Sequence, residues 1–132
     1  MNIMMLLEMA VSGCPERVAF VDPEMDASIS YQELFDSAGN IASILGATDV
    51  ARFAMLDVSN IGIPIGLFAS SWAGIPYVPL NYRLTDPEIE SLLDRITPAY
   101  LVTEPERVAG FHDREGVQVS SRSDFVALAR ET

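Results

Sequence analysis

The apolar positions of this chain change period several times along its length. Ile3, Leu6, Leu7, Ala10 and Val11 recur at the spacing of one helix face, which predicts an amphipathic helix over residues 2–12, ended by Gly13 and Pro15. Val18–Val21 reads as a short strand, Asp22–Ala27 as a turn and Ser28–Ser30 as the returning arm of a small hairpin. Ser30 and Glu33 stand at capping-box spacing, and Leu34, Phe35, Ala38, Ile41, Ala42 and Leu45 then run down one helical face towards Gly46, read as the stop. Phe53–Val58 is an apolar strand. Ser59 or Asn60 is expected to cap a helix over residues 61–73, closed by Gly74, and Tyr77–Leu80 is the next strand. Thr85 and Glu88 form a second capping box with Pro87 in the first turn, ahead of the stripe Ile89, Leu92, Leu93 and Ile96; Pro98 ends that helix. Tyr100–Thr103, Pro105–Phe111, Val117–Val119 and Ser123–Arg130 follow as strand, short helix, strand and helix.

Strands alternating with helices at this spacing require crossover connections. The expected fold class is therefore α/β: a mostly parallel sheet with helices on both faces, plus a small N-terminal β-hairpin. The 132 residues are read as a single unit, 1–132, with no repeat, linker or low-complexity segment. A content of 49% apolar and 20% charged residues is that of a chain with a packed core.

No charged residue occurs from Val58 to Tyr82, a run long enough to cross a bilayer. Pro64, Pro76, Pro79, Gly62, Gly66 and Gly74 interrupt it, so it is read as a buried helix followed by a buried strand. The Gly62/Gly66 pair is then a place where a helix approaches a sheet closely, rather than a membrane dimerisation motif.

Nineteen acids against eight bases give a net charge of −11, which disfavours nucleic acid and anionic lipid as partners. All eight bases are arginine, so phosphate-loop and Schiff-base lysines are excluded within this chain. A single cysteine, Cys14, excludes an internal disulfide and fits a reducing, cytoplasmic compartment. The start has no basic segment before its apolar residues and meets Glu8 early, unlike a secretory signal.

Generic chemical motifs are absent: there is no GxGxxG, GxxxxGK, GxSxG, CxxC or HExxH. His112 stands in a polar loop and is read, with Cys14, as structural rather than as half of a dyad. Asp86, Glu88, Glu90 and Asp94 cluster on one helix, where cap and dipole complementarity explain them without acid–base or Mg²⁺ chemistry. Asp22, Glu24 and Asp26 lack the loop length and central glycine of a Ca²⁺ site and are read as a solvated turn.

Several local patterns nevertheless occur in a familiar order. They are Pro15-Glu16-Arg17-Val18-Ala19-Phe20, Ser30-Tyr31-Gln32-Glu33-Leu34, Arg52-Phe53-Ala54-Met55-Leu56, the tract from Trp72 to Asn81, Arg83-Leu84-Thr85-Asp86-Pro87-Glu88-Ile89 and Tyr100-Leu101-Val102-Thr103. Together, over residues 3–108, they resemble the N-terminal portion of an AMP-forming acyl-CoA synthetase, in the superfamily of luciferases and peptide-synthetase adenylation domains. The chain departs from that pattern at Val50-Ala51, where Gly-Asp is usual, and at Ser59-Asn60-Ile61-Gly62, where Asn-Ser-x-Glu is usual.

The resemblance implies a fatty acid–CoA ligase-like parent that uses ATP, Mg²⁺ and CoA and passes an acyl group through an acyl-adenylate. The Gly/Ser/Thr-rich ATP loop and the catalytic lysine of that family have no counterpart here, so the 132 residues are expected to be catalytically incomplete and to bind no cofactor alone. The resemblance places Leu80, Asn81, Tyr82, Arg83 and Arg107 near the CoA nucleotide, Arg83 as a guanidinium suited to phosphate. Ile61, Ile65, Phe68 and Trp72 are candidates for an acyl tunnel, with core packing the reading preferred. The expected partner is the rest of the parent enzyme, or a second copy of this chain. Two alternatives stay open at this point: a non-catalytic scaffolding remnant of the same family, and an unrelated doubly wound domain of receiver type, for which Asp57 at a strand end is the one hint.

Overall fold

The computed structural model describes residues 3–131. In chain order the elements are α1 (Ile3–Gly13), β1 (Val18–Asp22), β2 (Ala27–Ser30), α2 (Tyr31–Gly46), β3 (Arg52–Leu56), α3 (Gly62–Ala73), β4 (Tyr77–Pro79), α4 (Asp86–Ile96), β5 (Ala99–Thr103), α5 (Pro105–Phe111), β6 (Val117–Ser121) and α6 (Arg122–Ala129). The expected beginning of the first helix at residue 2 lies outside the described residues. β1 and β2 form an antiparallel hairpin, and the other four strands form one parallel sheet in the order β4-β3-β5-β6. The α/β class, the parallel sheet and the separate hairpin are as the periodicity predicts.

Alternation along the strands divides the core in two. Phe53 and Met55 of β3, with Tyr100 and Val102 of β5, face a cluster built from α1, α2, α3 and α6. Ala54, Leu56 and Leu101 point the other way, onto Ile89 and Leu93 of α4 and Phe111 of α5. At the centre of the first cluster, Phe53 lies between its register partners Tyr77 and Tyr100, ring centroids 5.8 Å away on each side, and Phe125 of α6 closes over it at 5.4 Å. Burial in this layer pushes the Tyr77 hydroxyl pKa up to about 12.

α3 sits tightly on this layer. A Cβ at Gly66 would come within 2.5 Å of the Phe53 ring, so the glycine permits the close approach read from the sequence. Ile61 and Ile65 are fully buried core residues, whereas Trp72 stays partly exposed against Phe35 and Gly39. Core packing therefore accounts for the first half of the candidate acyl stripe.

Both capping boxes form: Ser30 with Glu33, and Thr85 with Glu88. Three terminal details differ from expectation. Gly46 is the last residue of α2 and the chain leaves through Ala47 in a right-handed conformation, so no left-handed glycine is used there; Gly74, at φ 78°, does end α3 in that way. β3 stops at Leu56 because the Asp57 carboxylate accepts the Val58 amide and turns the chain. α3 starts at Gly62 with no side-chain cap from its N-cap residue Ile61. Asn60, one of the two expected caps, accepts the Gly62 amide from just before the helix, and Asp22, at the end of β1, accepts the Ile61 amide at 2.9 Å. Asp22 is buried and also accepts the Met25 amide, so that part of the acidic turn is a structural clasp and not a solvated face.

Candidate functional site

Because β3 to β6 are all parallel, their carboxyl ends share one edge of the sheet. The residue after each end is polar or begins a polar loop: Asp57 after β3, the Leu80–Arg83 loop after β4, Glu104 after β5 and Arg122 after β6. The chain runs from β3 outward to β4, then returns across to β5, so the strand order reverses between β3 and β5. In open α/β sheets a ligand crevice lies outside the carboxyl ends at that reversal.

Here that place is filled from within. The Thr103 hydroxyl donates to the Leu56 carbonyl at 2.7 Å, joining the two strand ends. The Asp57 side chain, only 1% exposed, lies 2.7 Å from the Arg122 guanidinium, although the angle does not make a hydrogen bond. Burial is the main influence on Asp57 and raises its pKa; the Val58 amide and Arg122 pull it back. Arg122 also reaches Glu104 at 3.8 Å, and Glu104 pairs with Arg107 at 3.1 Å.

The loop after β4 carries the residues that the resemblance singled out. Leu80 is buried in the second core cluster, and its amide donates to the Met55 carbonyl, so it anchors the loop and offers no side chain to a ligand. The Asn81 side chain accepts the Arg83 amide at 3.0 Å and its carbonyl accepts the Leu84 amide, which bends the loop into the Thr85 cap. Tyr82 is 38% exposed, and the Arg83 guanidinium sits over its ring at 5.5 Å. Arg83 is exposed and has no carboxylate partner among the described residues. Arg107 donates to the Tyr82 carbonyl at 3.0 Å. The structure thus brings Arg107 to the same loop as Tyr82 and Arg83, across 25 residues of sequence.

Most of the acidic candidates on α4 resolve as structural groups. Glu90 and Asp94 of α4 hold Arg114, and Glu88 completes a cap, which accounts for most of the acidic cluster on that helix. No group of three or more His, Cys, Asp or Glu side chains able to hold a metal ion comes together among the described residues. A small cavity of about 200 Å³ beside Arg107 is lined also by Asp86, Glu90 and Glu106, whose charges oppose an anion. A larger groove, about 710 Å³, lies elsewhere, among α2, α3 and α6 around Trp72 and Arg130. None of the helices among the described residues is long and apolar enough to cross a membrane.

Glu104 and Arg122 belong to no motif legible in the sequence. Each directly follows the last residue of a strand, and that position was the only available signal.

Comparison with known proteins bears on the same segments. The AMP-binding enzyme family matches residues 7–131. Indoleacetate–CoA ligase of Aromatoleum aromaticum is 36% identical over 98 residues, covering 72% of this chain and 19% of that protein. A long-chain-fatty-acid–CoA ligase of Mycobacterium tuberculosis is 27% identical over 95 residues, 70% of this chain and 19% of its own length. The crystal structure of the N-terminal domain of FACL13 from Mycobacterium tuberculosis superposes with a TM-score of 0.82 at 19% identity, covering all of this chain and 36% of that one. The chain therefore spans about a fifth of the length of the curated relatives it matches. These matches set aside the receiver-like alternative: the chain belongs to the AMP-binding enzyme family and corresponds to the N-terminal portion of its AMP-forming acyl-CoA synthetases.

Proposed function

We propose that this chain is the opening portion of the adenylating domain of an acid–thiol ligase, and that its Asn81–Arg83 loop forms part of the surface that receives the nucleotide of CoA. The ligase would join a carboxylic acid to ATP as an acyl-adenylate and then transfer the acyl group to the CoA thiol. Relatives named for indoleacetate, long-chain fatty acids and benzoate support an acid with an apolar body, fatty acids among them. ATP and Mg²⁺ would be held by residues outside these 132, since this chain has neither a phosphate loop nor a lysine. The remainder of such a ligase is the natural partner of this unit.

The observation that carries the CoA reading is Arg83: an exposed guanidinium without a carboxylate, on a loop fixed at the carboxyl edge of the sheet. A planar fork of donors in that state suits a phosphate. Calorimetric titration with 3′,5′-ADP, the nucleotide half of CoA, tests it. In a ligase that carries these residues we expect measurable binding by the wild type and a loss of tenfold or more in Arg83→Gln. Equal affinities, or no binding by either chain, would remove Arg83 from the site.

The parent reading is tested by immunodetection of the native product. A product well above 14.4 kDa that forms acyl-CoA from acid, ATP and CoA supports it. A product of 14.4 kDa without that activity would instead favour a scaffolding remnant.

A further inference from the structure

We infer that Arg107 is a positioning residue: an ionic chain from Asp57 through Arg122 and Glu104 to Arg107 grips the Tyr82 carbonyl and fixes the orientation of the Arg83 loop. The functional meaning of that orientation rests on the CoA reading above, but the mechanical claim stands on geometry alone.

The three nitrogens of the Arg107 guanidinium decide between contact and support. Nε lies 3.1 Å from Glu104, and Nη2 donates to the Tyr82 carbonyl at 3.0 Å. Nη1 is buried and has no acceptor, so it is out of a ligand's reach. Two nitrogens are therefore engaged inside the protein and the third is shielded. Arg83, one residue beyond Tyr82, has the opposite character, with its guanidinium over the Tyr82 ring and no internal acid. A bond to the backbone of residue 82 constrains the peptide that leads into residue 83, which a side-chain contact there would not do.

The chain behind Arg107 gives the grip a fixed base. Glu104 is shared by Arg107 and Arg122, and Arg122 abuts the nearly inaccessible Asp57. These acids and bases alternate and neutralise one another, so the chain fills the crevice between β3 and β5 without attracting an anion into it. It connects the carboxyl ends of β3, β6 and β5 to the loop that follows β4, which no backbone bond of the sheet does beyond Leu80. A ligand is thereby displaced from the usual crevice towards the end of β4.

Amide hydrogen exchange is read on the 132-residue chain, and 3′,5′-ADP titration on a ligase that carries the same residues and substitutions. Arg107→Gln and Glu104→Gln cut the chain at two points; Glu104 is 36% exposed, so its variant is expected to fold even if the first is impaired. Each should speed exchange of the Arg83 and Leu84 amides about tenfold while leaving β5 amides unchanged, and weaken the nucleotide several-fold. Arg107→Lys should recover part of the protection, because an ammonium can still reach the carbonyl. Arg83→Gln should lose the nucleotide with the loop exchange unaltered. Unchanged exchange in both cutting variants overturns the proposal. So does an Arg107→Gln variant that loses the nucleotide as fully as Arg83→Gln from a loop that stays protected, since Arg107 would then be a contact. If the wild type binds no nucleotide, the CoA reading fails, and the exchange pattern still decides whether Arg107 positions the loop.

Discussion

At the scale of single residues, two glycines show how differently the same change can act. Gly66 faces the Phe53 ring, which is pinned between Tyr77, Tyr100 and Phe125, so a methyl group there has nowhere to go. A Cβ at Gly39 would come within 2.9 Å of the Trp72 ring, but Trp72 is 43% exposed and can swing outward. Gly66→Ala should cost about 1–3 kcal/mol, the usual range for overpacking, and Gly39→Ala much less. Denaturant midpoints of the two variants at unchanged m-value check this. The contrast also marks what was legible. The spacing of Gly62 and Gly66 announced a close approach to the sheet, which Gly66 makes while Gly62 lies against Asn60 and Phe125 of α6; the ring beneath Gly66 is that of Phe53, thirteen residues earlier, and its identity depends on the register of β3. Arg83 was legible in another way, through resemblance. Glu104 and Arg122 were not legible, because an ionic chain between strand ends exists only once the strands are ordered side by side.

At the scale of elements, the strands and helices could be read because each carries its own period and most carry their own caps. The start of α3 was read to within one residue, with Asn60 as a cap, but the second clasp on it was not, because the Ile61 amide is received by Asp22, a residue 39 positions away. The α2 cap offers a direct measurement. Ser30→Ala removes the acceptor of the Glu33 amide and should cost about 1 kcal/mol, visible as a fall of a few degrees in Tm. Its partner Glu33 also gives the cap a pH signature. The Ser30 backbone amide, then its hydroxyl, hold the Glu33 pKa below the ordinary 4.5. A depressed carboxyl stabilises the fold fully above its unfolded value, and that contribution disappears as pH falls through the folded one. Glu33→Gln should therefore flatten the loss of stability below about pH 4.5, as followed by thermal melts across an acid series. Asp57 acts with the opposite sign: its raised pKa means that its charge opposes folding above that value, and acid relieves the penalty. The measured slope sums these with the other shifted carboxyls, Glu88 among them, which the Thr85 hydroxyl and then its amide hold below the ordinary value.

At the scale of the whole molecule, a four-stranded sheet with its own two-sided core corresponds to 36% of a crystallised N-terminal domain. Its far end is also tied in: Asn40 of α2 donates to the carbonyls of Ala129 and Glu131, and Arg130 pairs with Glu33. The hairpin is the one layer that shares no strand pairing with the main sheet. What joins it there is in part Asp22, which accepts the Ile61 amide at the N-cap of α3 and the Met25 amide of its own turn. Two pieces that would otherwise fray separately then open as one cooperative unit. The amides of β1, β2 and Ile61 should show a single shared opening free energy in native-state exchange, and Asp22→Ala should split it, releasing the hairpin at low denaturant while α2 and the sheet remain closed.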